Sequence, residues 1–293
     1  MRHNEQITVL MGPTGAGKSA LALEIAQSRP TVIINADAMQ MVSALRVLSA
    51  RPSVAEEAQA EHALYGVLPP ASPTSVAVWL GLVGPVIRAA WAAGKQPLLV
   101  GGTGMYVKAL MDGLADIPAV PKRARGEDAA SLHALLAQKD PRMAARLKPG
   151  DTQRIVRALE VIEGTGVSLA AWQERASPPL FPGVPVRCFA MLPERAQMYA
   201  RIDRRFHIMM ENGALEEVRV LMGLGLDPAL PILRAHGVPE LMAHLRGDMT
   251  REDAIAKAQQ NTRNYAKRQM TWIRHQLPAA RPATVAAMLE PQG

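Results

Sequence analysis

Ile7-Thr-Val-Leu-Met-Gly-Pro-Thr-Gly-Ala-Gly-Lys-Ser19 is the stretch on which the fold of this chain turns. Residues 7 to 11 form a short apolar run of strand type, residues 12 to 19 satisfy Gly-x-x-x-x-Gly-Lys-Ser, and residues 20 to 27 have helical composition. A glycine-rich turn set between a strand and a helix is the context in which this pattern cradles phosphate. Glycines let backbone N–H groups face inward around an anion, the helix N-terminus adds its positive end, and Lys18 supplies a point charge. The phosphate-binding candidates are therefore Gly12, Thr14, Gly15, Ala16, Gly17, Lys18 and Ser19, with the Ser19 hydroxyl also a ligand for Mg²⁺. The pattern leaves open whether the phosphates belong to a nucleotide.

Two further short apolar runs lie downstream. Residues 31 to 35 stop at Ala36 and Asp37, and residues 97 to 100 stop at Gly101-Gly-Thr-Gly104. Buried-type strands separated by helical stretches, each ending in a polar or glycine-rich turn, predict a parallel α/β sheet with its ligand at the carboxyl edge. From about Asp116 the texture changes to helical patterns without strand signals, over 129 to 139, 151 to 163, 201 to 224 and 252 to 275. A proline-rich stretch, 177 to 185, reads as a loop closing an inserted helical unit, and the chain after Pro278 reads as loosely ordered. The expected organisation is an α/β core over 1–115, a mostly helical insertion over 116–195, a helical return to the core over 196–278, and a tail over 279–293.

With 293 residues, 48% of them hydrophobic, the chain can fill a sizeable core. Its formal charge of +7 favours an anionic partner. The single cysteine, Cys188, cannot form an internal disulfide, which suits a reducing compartment. The apolar run 76 to 87 contains Pro85 and is too short to span a bilayer, and residues 1 to 5 lack the apolar stretch of a secretory signal. A cytoplasmic protein without membrane association is expected. The strand 97 to 100 ends in glycines instead of a carboxylate, which argues against motor-type ATP hydrolysis. A small-molecule or nucleotide kinase remains compatible, with 122 to 125 or 201 to 205 as an arginine-bearing lid.

An ordered series of short strings then resembles the tRNA dimethylallyltransferase family, also called tRNA isopentenyltransferases, over most of the chain. It runs through Gly12 to Ser19, Asn35-Ala-Asp37 with Met39-Gln40, Ala50-Arg51-Pro52, and Gly101-Gly-Thr-Gly-Met-Tyr106 with Gly113-Leu114. It continues through Asp151-Thr-Gln-Arg-Ile-Val-Arg-Ala-Leu-Glu-Val161, Arg201-Ile202 with Arg205, Gly213 with Glu216-Glu-Val218, Thr262-Arg263, Tyr265-Ala-Lys-Arg-Gln269 and Thr271-Trp272. The resemblance implies a P-loop-type core with an inserted helical, tRNA-contacting domain. It also implies transfer of a dimethylallyl group from dimethylallyl diphosphate to N6 of the adenosine beside the anticodon in tRNA, with Mg²⁺ present and pyrophosphate released. A monomer is expected, and a basic RNA-binding relative without the chemistry is the remaining alternative.

The resemblance carries roles residue by residue. Asp37 matches the catalytic aspartate, and Thr103 and Arg205 match residues that contact the diphosphate near the breaking bond. A base is needed because the lone pair of an adenine amine is delocalised into its ring. Between 257 and 275 the chain carries Lys257, Arg263, Lys267, Arg268 and Arg274 with no acidic residue. Arg263, Lys267 and Arg268 are accordingly candidate tRNA contacts, together with Gln40, Arg154 and Arg157, and Tyr106 and Trp272 are the candidate aromatics for an extruded base or, equally, core residues holding their helices. Five departures stand out. Ala38 replaces a usual Ser, Val42 a usual Tyr, Ser49-Ala-Arg-Pro52 a Thr-Ala-Lys-Pro string, His62-Ala-Leu-Tyr-Gly66 a His-His-Leu-Ile-Asp string, and Ala235-His-Gly-Val238 an Ala-Ile-Gly-Tyr string.

Overall fold

The computed structural model describes residues 5–123, 125–175 and 177–290. Its strands are short apolar runs. β1 (Ile7–Met11) and β2 (Thr31–Asn35) are buried at every position, as strands covered on both faces must be, and β3 (Glu61–Ala63) is a half-exposed edge. β4 (Gln96–Gly101), β5 (Val186–Ala190) and β6 (Arg281–Pro282) complete a parallel sheet of order β3-β2-β4-β1-β5-β6. β4 is paired in parallel with both β1 and β2. The turns that follow these three strands therefore open side by side at one sheet edge.

The helices are α1 (Lys18–Ser28), α2 (Val54–Glu57), α3 (Val76–Ala92), α4 (Gly104–Asp112), α5 (Ala129–Lys139), α6 (Pro141–Ala144) and α7 (Thr152–Thr165), followed by α8 (Leu169–Glu174), α9 (Arg195–Glu211), α10 (Ala214–Gly223), α11 (Val238–Leu245), α12 (Arg251–Gln276) and α13 (Val285–Leu289). Most begin on a side-chain cap: Ser75 accepts from the Val78 N–H, Glu194 from Ala196 and Gln197, and Thr250 from Asp253. α1 is different. Its N-cap is Gly17, at φ 97°, and no side chain caps it, so its first amides stay available to a ligand.

The chain divides into two compact units, Met1–Lys108 with Gly183–Gly293, and Ala109–Pro182. The second holds α5 to α8 around Leu132, Leu136, Ile155 and Leu159. Its surface arginines pair locally, Arg154 with Asp151 at 4.0 Å and Arg157 with Glu160 at 3.6 Å.

Three features differ from the sequence reading. Val186–Ala190, inside the stretch expected to be mostly helical, is an inner strand of the sheet; it follows prolines, is only five residues long and carries Arg187, so it shows no apolar run. The pattern 201 to 224 spans two helices, because Gly213 at φ 94° ends the run that α9 begins. Residues 279–290, expected to be loosely ordered, supply β6 and α13: Met288 is fully buried, and the carbonyls of Met288 and Ala287 accept from Arg29 and Arg187. Residues 291–293 of that tail, and residue 124 of the stretch 122 to 125, lie outside the described residues.

Candidate active site

The site begins in the turn after β1. Gly15 and Gly17 adopt φ values of 78° and 97°, which a side chain would strain, and this lets the backbone curl over the start of α1. Lys18 folds back into the turn, its ammonium donating to the carbonyls of Gly12 at 2.9 Å and Pro13 at 3.0 Å. Burial lowers its pKa to about 8, with Asp37 opposing the shift and Arg205 adding to it. Ser19 is exposed at the start of α1.

At the end of β2, buried Asn35 fixes the next turn. Its Oδ1 accepts from the Asp37 N–H at 2.8 Å, and its Nδ2 donates to the carbonyls of Asp37 at 2.9 Å and Leu64 at 3.0 Å. Asp37 Oδ1 in turn accepts from the Met39 N–H at 3.1 Å, where a 3-10 turn over Met39–Met41 begins. A local bond thus holds one carboxylate oxygen in place.

The turn after β4 explains its run of glycines. A Cβ on Gly101 would lie 2.1 Å from the Ala36 carbonyl oxygen, one on Gly102 2.1 Å from Gln269 Nε2, and one on Gly104 2.4 Å from the Trp272 ring. That close approach lets Thr103 bind the Asp37 turn directly. Its N–H donates to Ala36 O at 3.2 Å, and its hydroxyl accepts from the Ala38 N–H at 3.1 Å.

Two side chains reach this edge from helices far along the chain. Arg205 of α9 donates to the Thr14 hydroxyl, and burial lowers its pKa although Asp37 opposes the shift. Gln269 of α12 accepts from the Thr14 N–H at 2.9 Å and donates to Gly102 O at 3.0 Å, tying the turn after β1 to the turn after β4. Sequence reasoning gave Gln269 no role. It stands 255 residues from Thr14, and only its place in a family-like string marked it.

Two cavities adjoin here. One, of about 260 Å³, is lined by Thr14, Gly15, Gly17, Lys18, Ser19 and Gln40 among others. The other, of about 320 Å³, adds apolar walls from Leu48, Ile202, Phe206 and Met209, with Tyr265 and His236. Thr14, Asp37, Ser49 and Arg205 line both. Tyr265 and His236 rings lie 4.5 Å apart at 42°. Burial holds the His236 pKa below its usual value, aided by Arg268 and opposed by Glu240 and Asp37.

The remaining expected site residues fall in several places. Tyr106 is not available to a base: it is 1% exposed, stacked on Trp79 at 4.7 Å. Trp272 packs over Gly104. Gln40 lines the smaller cavity, but its amide donates to the carbonyls of Ser49 and Ala50. Glu217, another residue the sequence reading passed over, secures this rim by accepting from the N–H groups of Arg46, Val47 and Leu48. Arg263 is bound to Asp203 at 2.5 Å, which interrupts the basic stripe, whereas Lys267 and Arg268 are exposed. Among the described residues no helix is long and apolar enough to cross a membrane, and no three acidic, His or Cys side chains gather as a metal site.

Residues 40–276 match the family model for IPP transferase, and residues 5–65 match that for isopentenyl transferase. The chain belongs to the IPP transferase family. Kinship within it is strong: a tRNA dimethylallyltransferase of Rhodospirillum centenum is 54% identical, covering 94% of this chain and 90% of the relative, and one of a Methylobacterium species is 52% identical over 92% and 91%. The fold is that of the family's solved structures. The tRNA isopentenylpyrophosphate transferase of Bacillus halodurans superposes with a TM-score of 0.66 at 30% identity, covering 92% of this chain and 87% of that one. A eukaryotic dimethylallyltransferase acting on tRNA gives 0.76 at 24% identity, over 92% and 70%. Like the relatives whose length it nearly fills, the chain is a prenyltransferase.

Proposed function

We propose that this enzyme transfers the dimethylallyl group of dimethylallyl diphosphate to N6 of the adenosine beside the anticodon in tRNA and releases pyrophosphate. The observation that carries the reading is the pair of cavities meeting at Asp37, Thr14 and Arg205. One is lined with N–H groups, an ammonium and hydroxyls suited to a diphosphate, and the other is walled by apolar side chains with a ring pair.

The step forms a bond from adenine N6 to C1 of the prenyl group and breaks the bond from C1 to the bridging oxygen, whose electrons leave with pyrophosphate. The N6 proton passes to Asp37, which lines both cavities and has one oxygen held by the Met39 N–H. Charge grows on the leaving group, so fixed donors lower the barrier. Lys18, the uncapped amides of α1 and the Gly15–Gly17 backbone take the diphosphate; Arg205 and the Thr103 hydroxyl act beside the breaking bond. Mg²⁺ at the exposed Ser19 hydroxyl would neutralise charge on the diphosphate, and one protein oxygen without a carboxylate cluster fits an ion held chiefly by substrate phosphates and water. Leu48, Ile202, Phe206 and Met209 suit the prenyl tail, and Tyr265 with His236 offers a platform for the flat base. The target must leave its stack to arrive there. Lys267 and Arg268 suit tRNA phosphates, as do Arg154 and Arg157 beside their local carboxylates, while Gln40 and Arg263 are held by Ser49, Ala50 and Asp203.

Incubation with dimethylallyl diphosphate, Mg²⁺ and unmodified tRNA, followed by nucleoside mass spectrometry, tests the reading. N6-dimethylallyl adenosine is the expected product. Transfer of the ATP γ-phosphate to a small acceptor, without that nucleoside, would replace it with the kinase reading.

A further inference from the structure

Tyr65, just after β3, lines the smaller cavity with Lys18, Ser19, Arg201 and Arg205, and the transfer step makes no use of it. In the string that residues 62–66 resemble, an isoleucine stands at this position. The hydroxyl is therefore a departure of this chain.

The turn that carries Tyr65 is tightly held. Asn35 Nδ2 donates to the Leu64 carbonyl at 3.0 Å, and the Gly66 N–H donates to the Gln40 carbonyl at 2.8 Å. Leu64 sits between β3 and Tyr65 at φ 64°, a left-handed conformation unfavourable for a residue with a Cβ, and such outliers gather where a fold aims a functional group. The Tyr65 ring then packs on the apolar cluster that includes Leu21, Ala22 and Ile25 of α1, with the His62 ring edge-on to it at 5.5 Å.

Fixed in this way, the half-buried side chain has a hydroxyl with no hydrogen-bond partner among the described residues, and that hydroxyl is not sealed from the cavity. Burial pushes the phenol pKa above its usual value, with Asp37, Glu56 and Glu57 adding to the shift, so the group keeps its proton and stays a donor. Lys18, Arg201 and Arg205 face the same space against one carboxylate, Asp37. A donor with nothing to donate to, in a cavity of net positive charge, points to a phosphate oxygen.

The lining also says which phosphate. Thr14, Asp37, Ser49 and Arg205 line both cavities and mark the junction where the prenyl carbon meets N6, whereas Tyr65, Lys18 and Ser19 line the smaller cavity alone. The phosphate bonded to the prenyl carbon belongs at the junction, and the terminal phosphate beyond it. We propose that the Tyr65 hydroxyl donates to the terminal phosphate of the allylic diphosphate, which makes Tyr65 a residue that selects a diphosphate over a monophosphate. This rests on the prenyl-transfer reading.

Tyr65→Phe removes the hydroxyl and keeps the ring. Binding of pyrophosphate and of dimethylallyl monophosphate, each with Mg²⁺, is measured by calorimetry, and transfer by mass spectrometry of the modified tRNA. The variant should bind pyrophosphate about 10-fold or more weakly, the range for a hydrogen bond to a charged group, and its KM for dimethylallyl diphosphate should rise by a similar factor with little change in kcat. Binding of dimethylallyl monophosphate should stay the same, since that ligand has no terminal phosphate. The urea midpoint should also stay the same, because the hydroxyl has no partner within the protein to lose; a purely structural tyrosine would move it. Equal pyrophosphate affinity in wild type and variant overturns the proposal, and so does a loss of pyrophosphate and monophosphate by the same factor. If Tyr65→Phe weakens pyrophosphate alone yet wild type forms no dimethylallyl adenosine, the contact stands and the transfer reading falls.

Discussion

The sheet edge and the helical wall build the same site by different means. Lys18, at the start of α1, and Asp37 and Thr103, in turns after strands, are each fixed within a few residues or by the adjacent turn: Lys18 folds back onto Gly12 and Pro13, Asn35 clamps Asp37, and bare glycines bring Thr103 against Ala38. Arg205 and Gln269 come from α9 and α12, and long-range bonds to Thr14 and Gly102 hold them there. Edge residues are thus placed by local backbone chemistry and are free to act on substrate, whereas wall residues are at once structural ties and site groups. Substitutions should separate the two regions: at the edge chemistry fails alone, at the wall stability and chemistry fail together.

The largest effect belongs to the edge. Asp37→Asn should lower single-turnover transfer by roughly 10²–10⁴-fold, the range for an acid–base group, with pyrophosphate binding by calorimetry unchanged. Near-normal transfer would remove Asp37 from the mechanism. At the wall, Arg205→Ala should lower kcat by about 10²–10³-fold as an electrostatic donor is lost. If only tRNA affinity changes, Arg205 belongs to the RNA surface instead.

Gln269→Ala strands the Thr14 N–H and Gly102 carbonyl and should cost about 1–3 kcal/mol in denaturant unfolding while also slowing transfer. Gly102→Ala, whose Cβ would meet the Gln269 amide, should do similar damage, and the double variant should fall well short of the sum. Full additivity would show that the tie does not join the two regions.

Lys18 gives the edge a pH signature. With its pKa lowered from 10.5 to about 8, the free enzyme loses this cation as pH rises through about 8, and kcat/KM for dimethylallyl diphosphate should fall there. Stability moves the other way: between about 8 and 10.5 the unfolded chain holds the extra proton, so the Lys18 contribution to unfolding free energy rises with pH. A flat kcat/KM from pH 7 to 9.5 would contradict this. The smallest effect is on the RNA side. Lys267→Ala should reduce the slope of log binding constant against log salt by about 0.7–0.9, and Arg263→Ala by less, since Asp203 already holds Arg263.

The same division decides what could be read from sequence. β1 and β2 have the bounds their apolar runs predict, and the glycine-rich turn declares itself, because burial on both faces and positive φ leave local marks. β5 and the β6–α13 tail left none, since five residues behind prolines, or two beside an arginine-bearing strand, become strands only when the sheet receives them. Tyr106 fits a base platform or core equally well from its neighbours in sequence, and Trp79, stacked on it from another helix, makes it core. Gln269 and Glu217 act through partners that spacing cannot supply.

The central claim is that two substrates enter two cavities and meet at Asp37, with the diphosphate held in the turn after β1. Product inhibition by pyrophosphate addresses it most directly. Initial rates measured against each substrate in turn should show pyrophosphate competing with dimethylallyl diphosphate and not with tRNA. Competition with tRNA, and none with dimethylallyl diphosphate, would mean that the glycine-rich turn does not hold the leaving group.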